Sequence, residues 1–140
     1  MGRPVIYLDT SVIVPLFLPE PRSQEAENLL LLQDIIVSDL AVAEFSSAIA
    51  LAVRIGRIQA EGGRAVLTQF DAWAADHALI AEARGEDFAA ATRLIRRFEL
   101  ALRTPDALHI ALAVGIGAKL ATFDAKMAAA AAAIGMPFAP

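Results

Sequence analysis

The stretch VIYLDTSV, residues 5–12, runs from an apolar segment into a carboxylate and then two hydroxyls. From Pro4 to Leu8 the chain is short, continuous and partly β-branched, which suits a strand covered on both faces. Asp9, Thr10 and Ser11 then read in two ways. Such residues ordinarily start helices, and they also suit the rim of a site beyond a strand end. The rest of the chain has to decide between these readings.

Downstream, Pro15, Pro19 and Pro21 punctuate a brief helical turn, and RSQEAENLLLLQ (22–33) predicts a helix. DIIVS (34–38) is the second strand candidate. From Asp39 to Arg54 the apolar residues Ala41, Phe45, Ala48, Ile49 and Ala52 recur at threes and fours, predicting an amphipathic helix closed by Gly56. GRAVLTQFDAWAA (63–75) continues as helix, and HALI (77–80) reads as a third strand. The series Phe88, Ala91, Ile95, Phe98 and Leu102 predicts another helix, with Arg93, Arg96 and Arg97 on its outer face. TPDALHIALAVG (104–115) has Thr104 as expected N-cap, Pro105 in the first position and Gly115 at the end. AKLAT (118–122) reads as a strand, and DAKMAAAAAAIG (124–135) as a helix of high propensity terminated by Gly135. Strands alternating with helices predict an α/β sandwich with a mostly parallel central sheet, in one domain over residues 1–140.

Composition narrows the classes. With 57% hydrophobic and 20% charged residues the chain is globular and not disordered, and its apolar surplus hints at self-association. No stretch reaches the roughly 20 apolar residues of a membrane span, and no basic region precedes a long hydrophobic segment. A soluble, cytoplasmic protein is therefore expected, with no membrane partner. The absence of cysteine excludes disulfides, thiolate metal sites and cysteine catalysis. The formal charge of -4 argues at first against a nucleic-acid partner.

The carboxylates change that reading. In open α/β sheets ligands bind beyond the carboxyl ends of the strands. Asp9 ends the first strand and Asp124 follows a later one. Asp106 lies in the first turn of the 104–115 helix, and Glu44 about one turn into the helix after DIIVS. Asp124 reads equally well as a plain N-cap, and Asp106 as a residue favouring the helix dipole. Glu44, beside Leu40, Ala41 and Ala48 at the border of the apolar stripe, is harder to explain structurally, as is Asp9. Four clustered carboxylates repel one another unless some protonate or cations lie between them. Only Arg103 and Lys126 fall within a helical turn of any of the four. Oxygen donors without cysteine or a histidine pair suit a hard ion, Mg²⁺ or Mn²⁺. Without the four acids the chain carries no net formal charge.

Four segments, YLDTSVIVPLF, VSDLAVAEFSSAIA, LRTPDALHIALA and LATFDAKMAAAA, resemble the successive motifs of PIN-domain ribonucleases, especially the VapC toxins of bacterial toxin–antitoxin pairs. The resemblance spans nearly the whole chain, although residues 56–86 carry no diagnostic side chain. It implies a PIN-like fold, a three-layer αβα sandwich, in which Asp9, Glu44, Asp106 and Asp124 bind one or two Mg²⁺ ions and hydrolyse RNA, leaving a 5′-phosphate and a 3′-hydroxyl. Asp9 and Asp106 are the first-choice ligands. Glu44 and Asp124 hold a second ion or orient water. Thr10, Ser11 and Thr122 match supporting polar positions. Arg103, Arg93, Arg96 and Arg97 offer phosphate contacts, though the last three also suit a solvated helix face. A homodimer and an antitoxin covering the acidic groove are implied, with VPLFLP as a docking surface or as core.

His109, three residues after Asp106, reads as a packed or hydrogen-bonded residue in preference to a general base. Tyr7 and Trp73 read as core. Competing functions are a housekeeping PIN nuclease in RNA maturation, a catalytically silent PIN-like module and a receiver-like Mg²⁺-binding signalling domain. The silent module would lack an acid. The receiver would need its acceptor Asp after the central strand, where HALIAEA offers Glu82. A haloacid-dehalogenase-type phosphatase would need a second Asp where Ser11 stands.

Overall fold

The computed structural model describes residues 2–140, and VIYL becomes the middle of its sheet. Strand β1 (Val5–Leu8) is flanked by β2 (Asp34–Ser38) and β4 (Lys119–Ala121), with β3 (Ala78–Ala81) and β5 (Phe138–Ala139) at the edges. All pairings are parallel, and Tyr7 lies opposite Ile36 on one side and Leu120 on the other.

The period of two along β1 divides the core. Ile6 and Leu8 face a layer built from α1 (Thr10–Phe17), α3 (Asp39–Arg54) and α4 (Ala60–His77), with α2 (Ser23–Leu29) beside it. Tyr7 faces α5 (Gly85–Ile95), α6 (Thr104–Ile116) and α7 (Ala125–Ile134). The sheet thus lies between two helical layers, and β1 has no wet face. On the α1/α3/α4 side Phe45 and Phe70 have ring centroids 4.4 Å apart, and Phe17 meets Phe45, Phe70 and Trp73 edge-on. Phe17 belongs to VPLFLP, so that segment contributes to the core, as do Tyr7 and Trp73.

Several elements differ from their sequence patterns for definable reasons. The turn expected around Pro15 is a two-turn helix, α1, that contains Pro15. The helix expected over 22–33 stops at Leu29, leaving Leu31 and Leu32 exposed and Leu32 at φ +60°. The periodic series from Phe88 to Leu102 does not make one helix. α5 ends at Ile95, a 3₁₀ turn occupies Phe98–Leu100, and Ala101 has φ +53°. Phe98 is 87% exposed while Leu100, outside the series, is buried, so burial and not spacing set the chain path. α6 is capped by Arg103 instead of Thr104, and it passes Gly115 to stop at Gly117, which takes the left-handed φ of +76°. β5, two residues between prolines, is too short to leave a pattern. Among the described residues no helix is long and apolar enough to cross a membrane.

Two adjacent glycines in α4 test how closely α3 and α4 pack. A Cβ on Gly63 would stand 2.8 Å from Val53 Cγ2, a β-branched atom with little freedom, whereas one on Gly62 meets nothing within 4 Å. Gly62→Ala is expected to stabilise the fold by about 0.5–1 kcal/mol through helix propensity. Gly63→Ala is expected to lose stability, because overpacking costs about 1–3 kcal/mol and exceeds the same propensity gain. Urea midpoints of the two variants moving in the same direction would contradict this packing.

Candidate active site

The site is built where β1 and β4 end side by side. Past Leu8 the Asp9 amide donates to the carbonyl of Ala121 at 3.1 Å, so the two strand ends stay in register as the chain turns into α1. Asp9 is the N-cap of α1, yet its side chain makes no capping hydrogen bond. The carboxylate is buried and points into the joint between the strands. Ser11 Oγ donates to Asp9 Oδ1 and Thr122 Oγ1 to Asp9 Oδ2, both at 2.6 Å. Those hydroxyls accept in turn from the amides of Phe123 at 2.8 Å and Asp124 at 3.0 Å. The β1–α1 and β4–α7 turns are therefore stitched together through a single carboxylate. No lysine or arginine pairs with it among the described residues. Burial accordingly pushes the Asp9 carboxyl above its ordinary value, partly offset by the Ser11 and Thr122 hydrogen bonds.

Glu44 reaches the same edge from the second turn of α3. Its Oε1 accepts from Thr10 Oγ1 at 2.9 Å and from His109 Nε2. Burial works to raise its carboxyl, and the hydrogen bonds of His109 and Thr10 together with the charge of Arg103 outweigh it, so the net direction is down. Two carboxylates a few residues of hydrogen bonding apart thus have opposite tendencies, because one has a nitrogen donor and a nearby guanidinium and the other has only hydroxyls.

Asp106 stands in the first turn of α6, one turn before His109, and its side chain is 13% exposed. Arg103 Nε lies 3.6 Å from Asp106 Oδ2, with the guanidinium largely in solvent, so this ion pair is loose and worth little. Asp124 caps α7, its Oδ1 accepting from the amides of Lys126 at 2.9 Å and Met127 at 3.1 Å. The capping reading of Asp124 is therefore correct, and its second oxygen remains outside that cap.

All four acids lie toward the carboxyl edge of the sheet; Thr10, Ser11, Thr122 and His109 hydrogen-bond Asp9, Glu44 and the Asp124 amide, while Asp106 meets only Arg103 among the described residues. They do not form a closed cage. Among the described residues no three Asp, Glu, His or Cys side chains gather closely enough to share one ion. The donor set nevertheless fits a hard divalent cation. It is all oxygen, it includes a buried carboxylate without a cationic partner, and Asp106 and the second oxygens of Glu44 and Asp124 have no hydrogen-bond donor in the described network.

Of the arginines singled out from sequence, only Arg103 lies at this edge. Arg93 and Arg97 line a groove of about 700 Å³ bounded by α5, α6 and Ile134, which includes none of the four acids. Arg96 is exposed beyond the end of α5. A different arginine reaches the turn after β4. The Arg22 guanidinium stacks 3.7 Å from the ring centroid of Phe123, between Thr122 and Asp124 in sequence, and pairs with Glu25. Nothing in the periodicity around Arg22 signals this. Tyr7 and Ser38 were also not legible as site residues. Tyr7 Oη bonds Ser38 Oγ at 2.7 Å and His109 Nδ1 at 2.6 Å, connecting the core beneath the sheet edge to Glu44. Burial drives the Tyr7 phenol far up, with the Ser38 hydrogen bond opposing and the Asp9 and Glu44 charges adding, so it stays protonated. The only trace in sequence is the Asp106–His109 spacing of three, which places both on one helical face.

Comparison with known proteins agrees with this architecture. Curated proteins give no match to the sequence. Among solved structures, FitAcB from Neisseria gonorrhoeae superposes with a TM-score of 0.71 at 21% identity, covering 97% of each chain. VapC20 of Mycobacterium tuberculosis, a sarcin-ricin loop cleaving toxin, gives 0.70 at 20% identity, covering 89% of this chain and 94% of that one. VapBC2 from Rickettsia felis, bound to a DNA fragment from its promoter, gives 0.69 at 16% identity, covering 96% and 97%. At these identities the likeness establishes the fold. The sequence itself matches the PIN domain pattern over residues 6–133, and with β1 in the centre of the sheet and Asp9 at its end, the chain belongs to the PIN domain family.

Proposed function

We propose that this protein is a metal-dependent endoribonuclease that hydrolyses RNA phosphodiester bonds, and that it is the toxin of a toxin–antitoxin pair. The observation that carries the reading is Asp9, a buried carboxylate held only by hydroxyls at the junction of β1 and β4, with Glu44, Asp106 and Asp124 at the same sheet edge. Family membership and the structural likeness to VapC and VapBC proteins support it. Asp9 and Asp106 would hold Mg²⁺, or Mn²⁺ in its place, and Glu44 and Asp124 would complete the set. The ion, once bound, would supply charge neutralisation at the phosphate and a water of lowered pKa.

The protein's own groups divide the remaining work. Ser11 and Thr122 fix both oxygens of Asp9 by donating to them. Thr10 and His109 hold one oxygen of Glu44, leaving the other to orient or deprotonate an attacking water. Arg103, exposed beside Asp106, and Arg22, stacked on Phe123, would contact backbone phosphates next to the scissile one. The overall negative charge is no obstacle, since it resides in the four acids that cations would offset. An antitoxin covering this edge and a homodimer complete the proposal, in a cytoplasmic setting.

Three outcomes are expected. Purified protein should cut a mixture of transfer and ribosomal RNA in Mg²⁺, should stop in EDTA, and should lose at least about 100-fold in rate on Asp9→Asn. Cleavage persisting in EDTA, or undiminished in the variant, sinks the mechanism. Saturating Mn²⁺ should raise the melting temperature of the wild type by several degrees through linkage, and that of Asp9→Asn far less. An equal shift in both would remove Asp9 from the binding set. The third outcome concerns pH. With its folded pKa raised, Asp9 makes the folded chain bind more protons than the unfolded one from about pH 4 upward, so its contribution to stability falls as pH rises through that window. Urea midpoints in EDTA should show this decline in the wild type and its loss in Asp9→Asn. Glu44, shifted down, contributes the opposite slope at lower pH in both proteins.

A further inference from the structure

We infer that Ser38, Tyr7 and His109 form a one-way hydrogen-bond relay that positions Glu44, delivering the His109 Nε2 proton to Oε1 and leaving Oε2 free to face the site. This deepens the nuclease reading and rests on it only for the role of Glu44. The direction follows from counting protons.

Ser38 caps α3, its Oγ accepting from the amide of Ala41 at 3.1 Å. Its hydroxyl proton has one described acceptor, Tyr7 Oη at 2.7 Å. If Ser38 donates to Tyr7, the phenol proton goes to His109 Nδ1, 2.6 Å away. Nδ1 is then the acceptor of the ring, so the proton of the neutral imidazole sits on Nε2, opposite Glu44 Oε1. Every donor has an acceptor in this order. In the reverse order Nδ1–H donates to Tyr7 and Tyr7 to Ser38. Two faults then follow for the neutral ring. The Ser38 proton has no acceptor left in a fully buried setting, and a bare Nε2 lone pair faces a carboxylate lone pair. Protonating both nitrogens repairs the second fault and leaves the first. An unsatisfied buried donor is strongly disfavoured, so the α3 N-cap sets the tautomer of a histidine 71 residues away in sequence.

The consequence lies at Glu44. Oε1 receives both Nε2–H and the Thr10 hydroxyl, while Oε2 has no described donor, and the side chain is one third exposed. A flexible glutamate on a helix surface would otherwise sample several rotamers. Held from behind by a rigid ring that is itself fixed at both nitrogens, it presents one oxygen in one place. His109 and Tyr7 are thus positioning residues; neither faces the site edge, since both are buried to 2% or less.

The test combines two readouts on the full chain without RNA. Nitrogen-15 spectra of the metal-free protein, with exposed His77 replaced by Gln to leave one imidazole, should show His109 as the Nε2–H tautomer with a hydrogen-bonded Nδ1, and Tyr7→Phe should shift the Nδ1 resonance downfield as that nitrogen loses its donor. Titration with Mn²⁺ alone should give an affinity about fivefold or more weaker for Tyr7→Phe and His109→Leu. His109→Gln, whose amide nitrogen takes the Nε2 position, should stay within about twofold of the wild type. A merely structural role would lower the melting temperature without this rescue pattern. An Nδ1–H tautomer or an imidazolium in the wild type at pH 8 overturns the relay, as does unchanged Mn²⁺ affinity in Tyr7→Phe. If the wild type binds no Mn²⁺, the nuclease reading fails by itself, and the tautomer alone decides the relay.

Discussion

A carboxylate taken out of water at the end of a central strand is the constraint around which this molecule is arranged. Asp9 is buried because β1 is covered on both faces and its last residue has nowhere wet to go. Burying an anion without a countercharge costs several kcal/mol unless hydrogen bonds compensate. Ser11 and Thr122 supply that compensation, and in doing so join the loops that follow β1 and β4. The joint is neat as hydrogen bonding and incomplete as electrostatics, since hydroxyl dipoles do not cancel a charge. That remaining uncompensated charge is what the proposed cation would offset.

The neighbouring glutamate shows the contrasting solution. Glu44 has an imidazole and an arginine within reach, and its carboxyl is lowered where that of Asp9 is raised. Pairs of carboxylates whose environments push them apart are a recurrent feature of acid–base and metal chemistry. Here the difference traces to the layers of the fold. Asp9 is enclosed by strand ends, whereas Glu44 sits on a helix at the rim and is supported across the sheet edge from α6.

Much of this was legible in the chain itself, and the boundary can be drawn residue by residue. The strand VIYL, the helix from Asp39 to Arg54, the Asp124 cap and the Gly135 stop were all readable, since each depends on a local pattern: β-branching, a period near 3.6, a capping oxygen, a residue free to adopt positive φ. The helix expected through Phe98 failed because periodicity reports an apolar stripe and cannot tell which members are buried. Arg93 and Arg97 read from sequence as phosphate contacts or as a solvated helix face, and in the fold they line a groove between α5 and α6. Arg22 went unnoticed because its partner, Phe123, is 101 positions away.

By itself the sequence determined the α/β alternation, the order of the elements, and four acids each placed just beyond a strand or in the first two turns of a helix. These are matters of neighbours within about one turn, where propensity and capping act. Tertiary structure alone decided that HALI lies at an edge and VIYL at the centre, and which oxygens of the acids are occupied. It also decided that Tyr7 and Ser38, two residues that look like ordinary core and cap, reach Glu44 through His109. The physical reason is separation along the chain: those contacts join residues 31, 102 and 65 positions apart, and no local pattern encodes a partner brought in by the packing of a sheet between two helical layers.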